Sequence, residues 1–289
     1  MRLANAGGRL TVVPASISSI VDGGTVDGFD VEAASDGRFG SDPQAVYGRW
    51  DAFTSWLGDA VLDRGRVSLA ADDLGPVVPR PTQVFAIGRN YAEHAAESDQ
   101  DVPTVPPTFT KFATCLAGPA ATVRLPEGHV DWEVELVVVV GRPATGLRRA
   151  DAWAHVAGVT VGQDISERTL QRTGSSPQFS LAKSFPGFGP MGPALVTVDE
   201  LEDPDDLALT CSVDGEVMQS ARTSAMVFDV PDLLVHLSSV LTLLPGDVIF
   251  TGTPSGVGMG RRPPRFLQPG EVIESEIEGI GRLRNPTTV

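Results

Sequence analysis

The hydrophobic positions of this chain fall into many short runs instead of a few long ones. After residue 79 these runs are bounded by turns containing Gly or Pro, with few helical stretches between them. The predicted strands are Val84 to Ile87, Trp132 to Val140, Ala157 to Val161, Leu207 to Val213, Asp247 to Thr251 and Glu271 to Ile277. This pattern indicates a mostly β fold of the α+β class with a mixed sheet, because regular alternation of strands and helices is missing.

The first part of the chain has a different pattern. It contains a short β-like run from Leu10 to Val13, a stretch rich in Gly and Asp, and a helical pattern around Gln44 to Leu62. A proline-rich connection follows, and closely spaced prolines stiffen a connection and stop helices. We therefore predict a small N-terminal accessory domain over residues 1–78 and a catalytic domain over residues 79–289.

Composition and charge exclude several classes of function. With 289 residues, of which 42 % are hydrophobic, the chain can bury a sizeable core. Its formal net charge of −15 would repel phosphate backbones, so nucleic-acid binding is disfavoured. No apolar run approaches the roughly 20 residues needed to cross a bilayer, and the start does not resemble a secretory signal. We therefore expect a cytoplasmic protein that binds neither nucleic acid nor membrane.

Three acidic residues follow or enter apolar runs in a way that predicts a metal site. Strand alternation places Glu133 and Glu135 on one face of a strand that continues as pure core. Buried carboxylates need a cation, a proton or a basic partner, because unpaired burial is costly. Asp164 follows a second apolar stretch, and three oxygen ligands without cysteine suit Mg²⁺ or Mn²⁺. A strand with a solvent-facing acidic side has the same spacing, so the pattern alone leaves that alternative open.

A second group of residues has the spacing of a general-base site. His94 and Glu97 share one face of a predicted helix that follows the strand ending at Ile87. A carboxylate that accepts one ring N–H leaves the other imidazole nitrogen free to take a proton. Lys183, which lies beside apolar residues, could pair with a carboxylate ligand or a substrate oxyanion. Ordinary surface positions would show the same local patterns.

Six motifs, in this order and spacing, resemble those of the fumarylacetoacetate hydrolase family. They are Gly88-Arg-Asn-Tyr-Ala-Glu-His, Asp131-Trp-Glu-Val-Glu-Leu, Gln163-Asp, Leu181-Ala-Lys-Ser-Phe, Thr251-Gly-Thr-Pro-Ser-Gly-Val-Gly and Glu278-Gly-Ile-Gly. The resemblance runs from about residue 80 to the C-terminus. It implies a rolled, mixed β-sheet domain, typically a homodimer.

The resemblance also implies roles for nine residues. The ligands of Mg²⁺ or Mn²⁺ would be Glu133, Glu135 and Asp164. The water-activating pair and the metal-site lysine would be His94, Glu97 and Lys183. The substrate-contacting positions would be Arg168, Gln171 and Thr253.

The resemblance implies an enzyme, similar to bacterial acylpyruvate hydrolases and 2-hydroxyhepta-2,4-diene-1,7-dioate isomerases. The leading interpretation is a hydrolase that cleaves a C–C bond in an acylpyruvate-type 2,4-dioxo acid through a metal-stabilised enolate, in the breakdown of aromatic compounds. Alternatives with the same site are decarboxylation of oxaloacetate and isomerisation or hydration of unsaturated 2-oxo diacids. A non-catalytic 2-oxo-acid-binding protein with a structural metal is the alternative from another class, and a His/Glu pair on a separate helix argues against it.

Overall fold

The computed structural model describes residues 1–97 and 100–289. Within these ranges the chain forms nineteen strands and six α-helices, with short 3₁₀ turns between several of them. The strands are β1 Arg2–Ala6, β2 Arg9–Val12, β3 Val26–Asp30, β4 Arg66–Leu69, β5 Leu74–Gly75, β6 Val84–Ile87, β7 Thr108–Thr110, β8 Leu116–Ala117, β9 Val123–Arg124, β10 Val130–Asp131, β11 Val134–Val140, β12 Val156–Gln163, β13 Ser166–Glu167, β14 Gly189–Val196, β15 Ala208–Val213, β16 Glu216–Arg222, β17 Val248–Phe250, β18 Val272–Ile277 and β19 Gly281–Thr288.

The helices are short and connect or cover the strands. They are α1 Val31–Ala34, α2 Trp50–Asp59, α3 Ala92–Glu97, α4 Arg168–Gln171, α5 Phe179–Ala182 and α6 Val230–Val240. None of the described helices has the length and apolar character that crossing a bilayer requires.

Most strands join one large mixed sheet in the order β4-β3-β2-β1-β14-β12-β11-β17-β6-β7, with β5 beside β1 and β8 beside β14. Strand β11 pairs antiparallel with β12 on one side and with β17 on the other, whereas β17 and β6 are parallel. Every residue of β11 is buried. Burial on both faces explains its continuous apolar sequence, since neither face meets water.

A second sheet of five strands, in the order β16-β15-β18-β19-β9, covers one side of the large sheet. Leu136 of β11 belongs to the same core cluster as Leu209 and Ile273 of this smaller sheet. On the opposite face, Val137 and Val139 lie in a cluster that also contains aromatic residues of the N-terminal part. The fold therefore holds β11 rigidly between two cores.

The predicted fold class is confirmed: the protein is a strand-rich α+β fold with a large mixed sheet and a small N-terminal region. Each predicted strand overlaps an observed one, and the helical pattern around residues 44–62 corresponds to a 3₁₀ turn followed by α2. Strand β14 was not predicted, because its glycines and prolines are rare inside strands. Since β1 pairs with β14, the first residues extend the large sheet, and the division at residue 79 stays a prediction.

Candidate active site

Strand register brings the three predicted acids together. In the antiparallel pair β11 and β12, Val134 lies opposite Gln163, so the beginning of β11 is beside the end of β12. Glu133 and Glu135 flank Val134, and Asp164 directly follows Gln163. The backbone N–H of Asp164 donates to the carbonyl of Glu133 at 2.9 Å, which closes this end of the strand pair.

The three carboxylates form one buried cluster. Each of Glu133, Glu135 and Asp164 offers an oxygen, and these oxygens lie within 4.8 Å of one another. The exposed fractions of the three residues are 4 %, 1 % and 0 %. A cluster of three hard oxygen donors away from water suits a divalent cation.

Two lysines neutralise part of this charge. Lys183 donates from Nζ to Glu133 Oε2 at 2.6 Å and to Asp164 Oδ2 at 2.5 Å. Lys111 donates from Nζ to Asp164 Oδ1 at 2.7 Å. Both side chains are buried, and these are the only two lysines in the sequence. Both lysines of the chain therefore lie against the acid cluster.

Glu135 has no such partner among the residues that the structure describes. Its Oε2 accepts a hydrogen bond from the backbone N–H of Gly252 at 2.8 Å, and no cationic group is paired with it. Burial, and then the charges of Asp164 and Glu133, raise the pKa of Glu135 well above its ordinary value. Burial acts on Glu133 in the same direction, but the charges of Lys183 and Arg168 outweigh it and hold that pKa well below the usual range. The residues present thus fit a divalent cation, because an ionised Glu135 would have no cationic partner among the described residues.

Arg168, at the start of α4, is held in place by carboxylates on both sides. It donates from Nε to Asp131 Oδ2 at 2.9 Å and forms an ion pair with Glu133 Oε1 at 2.7 Å. Asp131 also accepts hydrogen bonds from the backbone N–H groups of Gly258 and Met259. Asp131 therefore connects α4, the acid cluster and the glycine-rich loop, a role that its position in the motif did not reveal.

The other two predicted substrate contacts are engaged with the protein. Gln171 accepts a hydrogen bond from Arg168 Nη1 at 3.0 Å. Thr253 donates from Oγ1 to the carbonyl of Val134 at 2.9 Å and accepts from Gln219 Nε2 at 2.7 Å. Both residues line the cavity described next, so a ligand would contact side chains whose orientation is already set.

A cavity of about 340 Å³ lies above the acids. Six predicted residues line it: His94, Glu133, Arg168, Gln171, Lys183 and Thr253. Glu135 and Asp164 lie buried close to Glu133, and Glu97 lines a shallower neighbouring cavity. The structure thus brings all nine predicted residues into one region, with room for a small organic acid.

His94 and Glu97 are close, but they are not hydrogen-bonded. His94 is 7 % exposed, and its Nδ1 lies 3.6 Å from Glu97 Oε2, with no hydrogen-bond partner among the described residues. Glu97 Oε2 instead accepts from the backbone N–H of Gly256 at 2.9 Å. The imidazole is therefore available to the cavity, and Glu97 is within a short movement of it.

Lys111 is a site residue that the sequence analysis missed. It follows Phe109 and Thr110 in β7, far along the chain from the acids, and its local pattern resembles any lysine beside a strand. The rarity of lysine in this chain was the available signal, since a residue type used only twice is not serving general solubility. Only the tertiary structure shows that Lys111 and Lys183 both contact the carboxylate of Asp164.

Comparisons with known proteins agree with this arrangement. The family model described as fumarylacetoacetate (FAA) hydrolase C-terminal matches residues 83–288. The mitochondrial oxaloacetate tautomerase FAHD2A of Bos taurus is 45 % identical over 227 residues, which cover 78 % of this chain and 71 % of that protein. A crystal structure from Mycobacterium smegmatis, provisionally named as an HpcE protein, is 51 % identical with a TM-score of 0.92, covering 100 % of this chain and 99 % of that one. Fumarylacetoacetate hydrolase from Exiguobacterium antarcticum is 32 % identical with a TM-score of 0.82, covering 100 % and 99 %.

Proposed function

Because this chain belongs to the fumarylacetoacetate hydrolase family, we propose that it is an Mg²⁺- or Mn²⁺-dependent tautomerase that interconverts the keto and enol forms of a 2-oxo diacid such as oxaloacetate. The similarity to the oxaloacetate tautomerase carries the choice of reaction. The buried acids, Lys183 and His94 around one small cavity support it chemically. This reaction is closer to the isomerase alternative from the sequence than to acylpyruvate hydrolysis.

Tautomerisation moves one proton from oxygen to carbon. The only bond orders that change are those of the C–C and C–O bonds of the enol. The 2-hydroxyl of the enol loses a proton, and carbon 3 gains one, so composition and net charge are conserved. A metal ion held by Glu133, Glu135 and Asp164 would draw negative charge toward the 2-oxygen and the adjacent carboxylate. His94, whose Nδ1 has no hydrogen-bond partner among the described residues, is the group that would carry the proton at carbon 3. Lys183 keeps a positive charge at the cavity floor.

The direct test follows the enol form of oxaloacetate. Freshly dissolved enol-rich oxaloacetate is expected to lose its ultraviolet absorbance faster with the protein and Mg²⁺ or Mn²⁺ than in buffer with the same metal. A chelator, or the variant Glu133→Ala, should return the rate to the buffer value. Acceleration that persists in both controls would contradict a reaction at this site, and no acceleration in the parent protein would reject the tautomerase proposal.

Hydrolysis of an acylpyruvate is the second candidate, and the short distance between His94 and Glu97 favours it. A small movement would join them, and the carboxylate would then orient the imidazole to activate water. The experiment above decides between the candidates when acetylpyruvate and fumarylpyruvate are added to the panel. Metal-dependent release of pyruvate, without faster enol decay of oxaloacetate, would favour the hydrolase.

His94→Gln is expected to reduce kcat for the preferred reaction by about 100-fold. This value is the lower end of the range of rate enhancements that a general acid or base typically provides. Metal affinity should remain within about twofold, because the His94 side chain is not among the three acids of the cluster. His236→Gln is the matched control, since His236 lies on α6 and does not line the cavity. Steady-state kinetics and calorimetric metal titration provide the two readouts, and full activity of His94→Gln would remove His94 from the mechanism.

A further inference from the structure

Of the three arginines that line the cavity, Arg89 and Arg172 have no acidic partner among the described residues. Arg168 also lines the cavity, but Asp131 and Glu133 already neutralise its charge. Arg172 lines the same cavity, is exposed, and has one hydrogen bond within the described residues, from Nη2 to the sulfur of Met259 at 3.8 Å. Within residues 1–97 and 100–289, no acidic oxygen lies within ion-pair distance of it. Arg172 therefore presents to the cavity a positive charge that no described acid neutralises.

Most surface arginines of this acidic protein have an acidic partner among the described residues, and Arg172 does not. The formal net charge is −15, and surface arginines elsewhere meet nearby acids readily. Examples are the pairs Arg66 with Asp27 and Arg80 with Asp42, each at 2.6 Å. An uncompensated guanidinium beside a concave site attracts anions and presents a fork that matches a carboxylate.

The position of Arg172 suits the remote end of a small diacid. It directly follows α4 as its C-cap residue and lies four residues after Arg168. Arg168 contacts the acid cluster, whereas Arg172 and Met259 line both the main cavity and the shallower one beside it. Arg172 thus stands where the two cavities meet, four residues after the arginine that contacts the acid cluster.

We propose that Arg172 binds the second carboxylate of the substrate and so makes the site selective for 2-oxo diacids over 2-oxo monoacids. The proposal rests on the proposed function and names the substrate class of the same site. The 2-oxo end would lie toward the acid cluster, and the far carboxylate would pair with the Arg172 guanidinium. Arg168 cannot supply this selectivity as well, because its charge is already shared between two buried carboxylates.

The test compares two ligands of equal length that differ only at the far end. Oxaloacetate ends in a carboxylate, and 2-oxobutanoate ends in a methyl group. Calorimetric titration with Mg²⁺ present is expected to show a clear preference of the parent protein for freshly dissolved oxaloacetate. Arg172→Gln should weaken oxaloacetate binding roughly 10- to 100-fold, as expected for a lost charged hydrogen bond, and change 2-oxobutanoate binding less than twofold.

Two further arginines serve as controls. Arg124→Gln removes an exposed arginine that does not line the cavity and should leave both affinities unchanged. Arg89→Gln removes the remaining cavity arginine, whose backbone is held at a positive φ of 54°. If the parent shows no preference for the diacid, or if Arg89→Gln and not Arg172→Gln abolishes the preference, the proposal is wrong.

Binding and turnover separate this proposal from the proposed function. If the parent protein prefers the diacid through Arg172 but does not accelerate enol decay, the carboxylate subsite is supported and the tautomerase assignment is rejected. If the parent accelerates enol decay and Arg172→Gln has the same kcat/KM for oxaloacetate, the tautomerase activity is supported and the carboxylate subsite at Arg172 is rejected. A substrate-binding role also predicts that Arg172→Gln raises KM far more than it lowers kcat.

Discussion

Glu135→Gln is expected to weaken binding of Mg²⁺ or Mn²⁺ by at least about 100-fold, while the metal-free protein stays as stable as the parent or becomes more stable. The loss of affinity follows from removing one of three anionic ligands, since even outer-shell changes cost about 10- to 100-fold. The unchanged stability follows from the absence of a cationic partner for Glu135 among the described residues. Glutamine is isosteric with the neutral acid and can still accept the Gly252 N–H.

The pH dependence of stability provides a second readout for Glu135. Burial and the neighbouring Asp164 and Glu133 raise the pKa of Glu135 in the folded, metal-free protein well above 4.5. The folded state therefore binds this proton more tightly than the unfolded chain. The stabilisation that this bound proton provides is complete when the pH is below the ordinary pKa of glutamate. It is lost as the pH rises through the raised pKa of Glu135. In a chelator, urea unfolding at increasing pH should show this decline in the parent and not in Glu135→Gln.

Glu133→Gln is the matched control for this prediction. It also removes a metal ligand, but Glu133 pairs with Lys183 and Arg168. Both cations keep a second carboxylate, so the metal-free variant should lose only about 1–3 kcal/mol of unfolding free energy. If the two substitutions destabilise the metal-free protein equally, Glu135 is not the uncompensated ligand. If Glu135→Gln binds the metal as tightly as the parent, Glu135 is not a ligand.

Lys111→Met is expected to lower the free energy of unfolding by about 3–5 kcal/mol, because it leaves a buried carboxylate without one of its cations. The Lys111 ammonium donates to Asp164 Oδ1 at 2.7 Å, to the carbonyl of Phe188 at 3.2 Å and to the carbonyl of Lys183. Its side chain is completely buried. The loss would therefore affect both the acid cluster and the turn that carries Lys183.

Two comparisons make the Lys111 prediction specific. Arg66→Met breaks an exposed ion pair with Asp27 and should cost no more than about 1 kcal/mol. Adding Asp164→Asn to Lys111→Met should recover part of the loss, because the buried charge is removed together with its partner. Urea unfolding in a chelator measures all of these proteins. A loss in Lys111→Met as small as that in Arg66→Met would show that Lys111 is not a structural part of the site.

The strands around the site were predictable because their signal is local. Strand β11 is buried on both faces, so its run of valines is visible in the sequence without knowledge of its neighbours. Glu133 and Glu135 were recognisable because two acids entering such a run need a partner. Strand β14 escaped prediction, since Gly and Pro are uncommon inside strands and its place between β1 and β12 is visible only in the fold.

The sequence by itself determined the fold class, the core strands, the three acids and, through its motifs, the family. These features depend on periodicity and on short motifs, which neighbouring residues reveal. Only the tertiary structure decided how the charges pair. Lys111 lies 53 residues from Asp164, and no local pattern specifies that they meet. Which arginine is neutralised and which faces the cavity also depends on distances across the fold, because Coulomb interactions act through space and not along the chain.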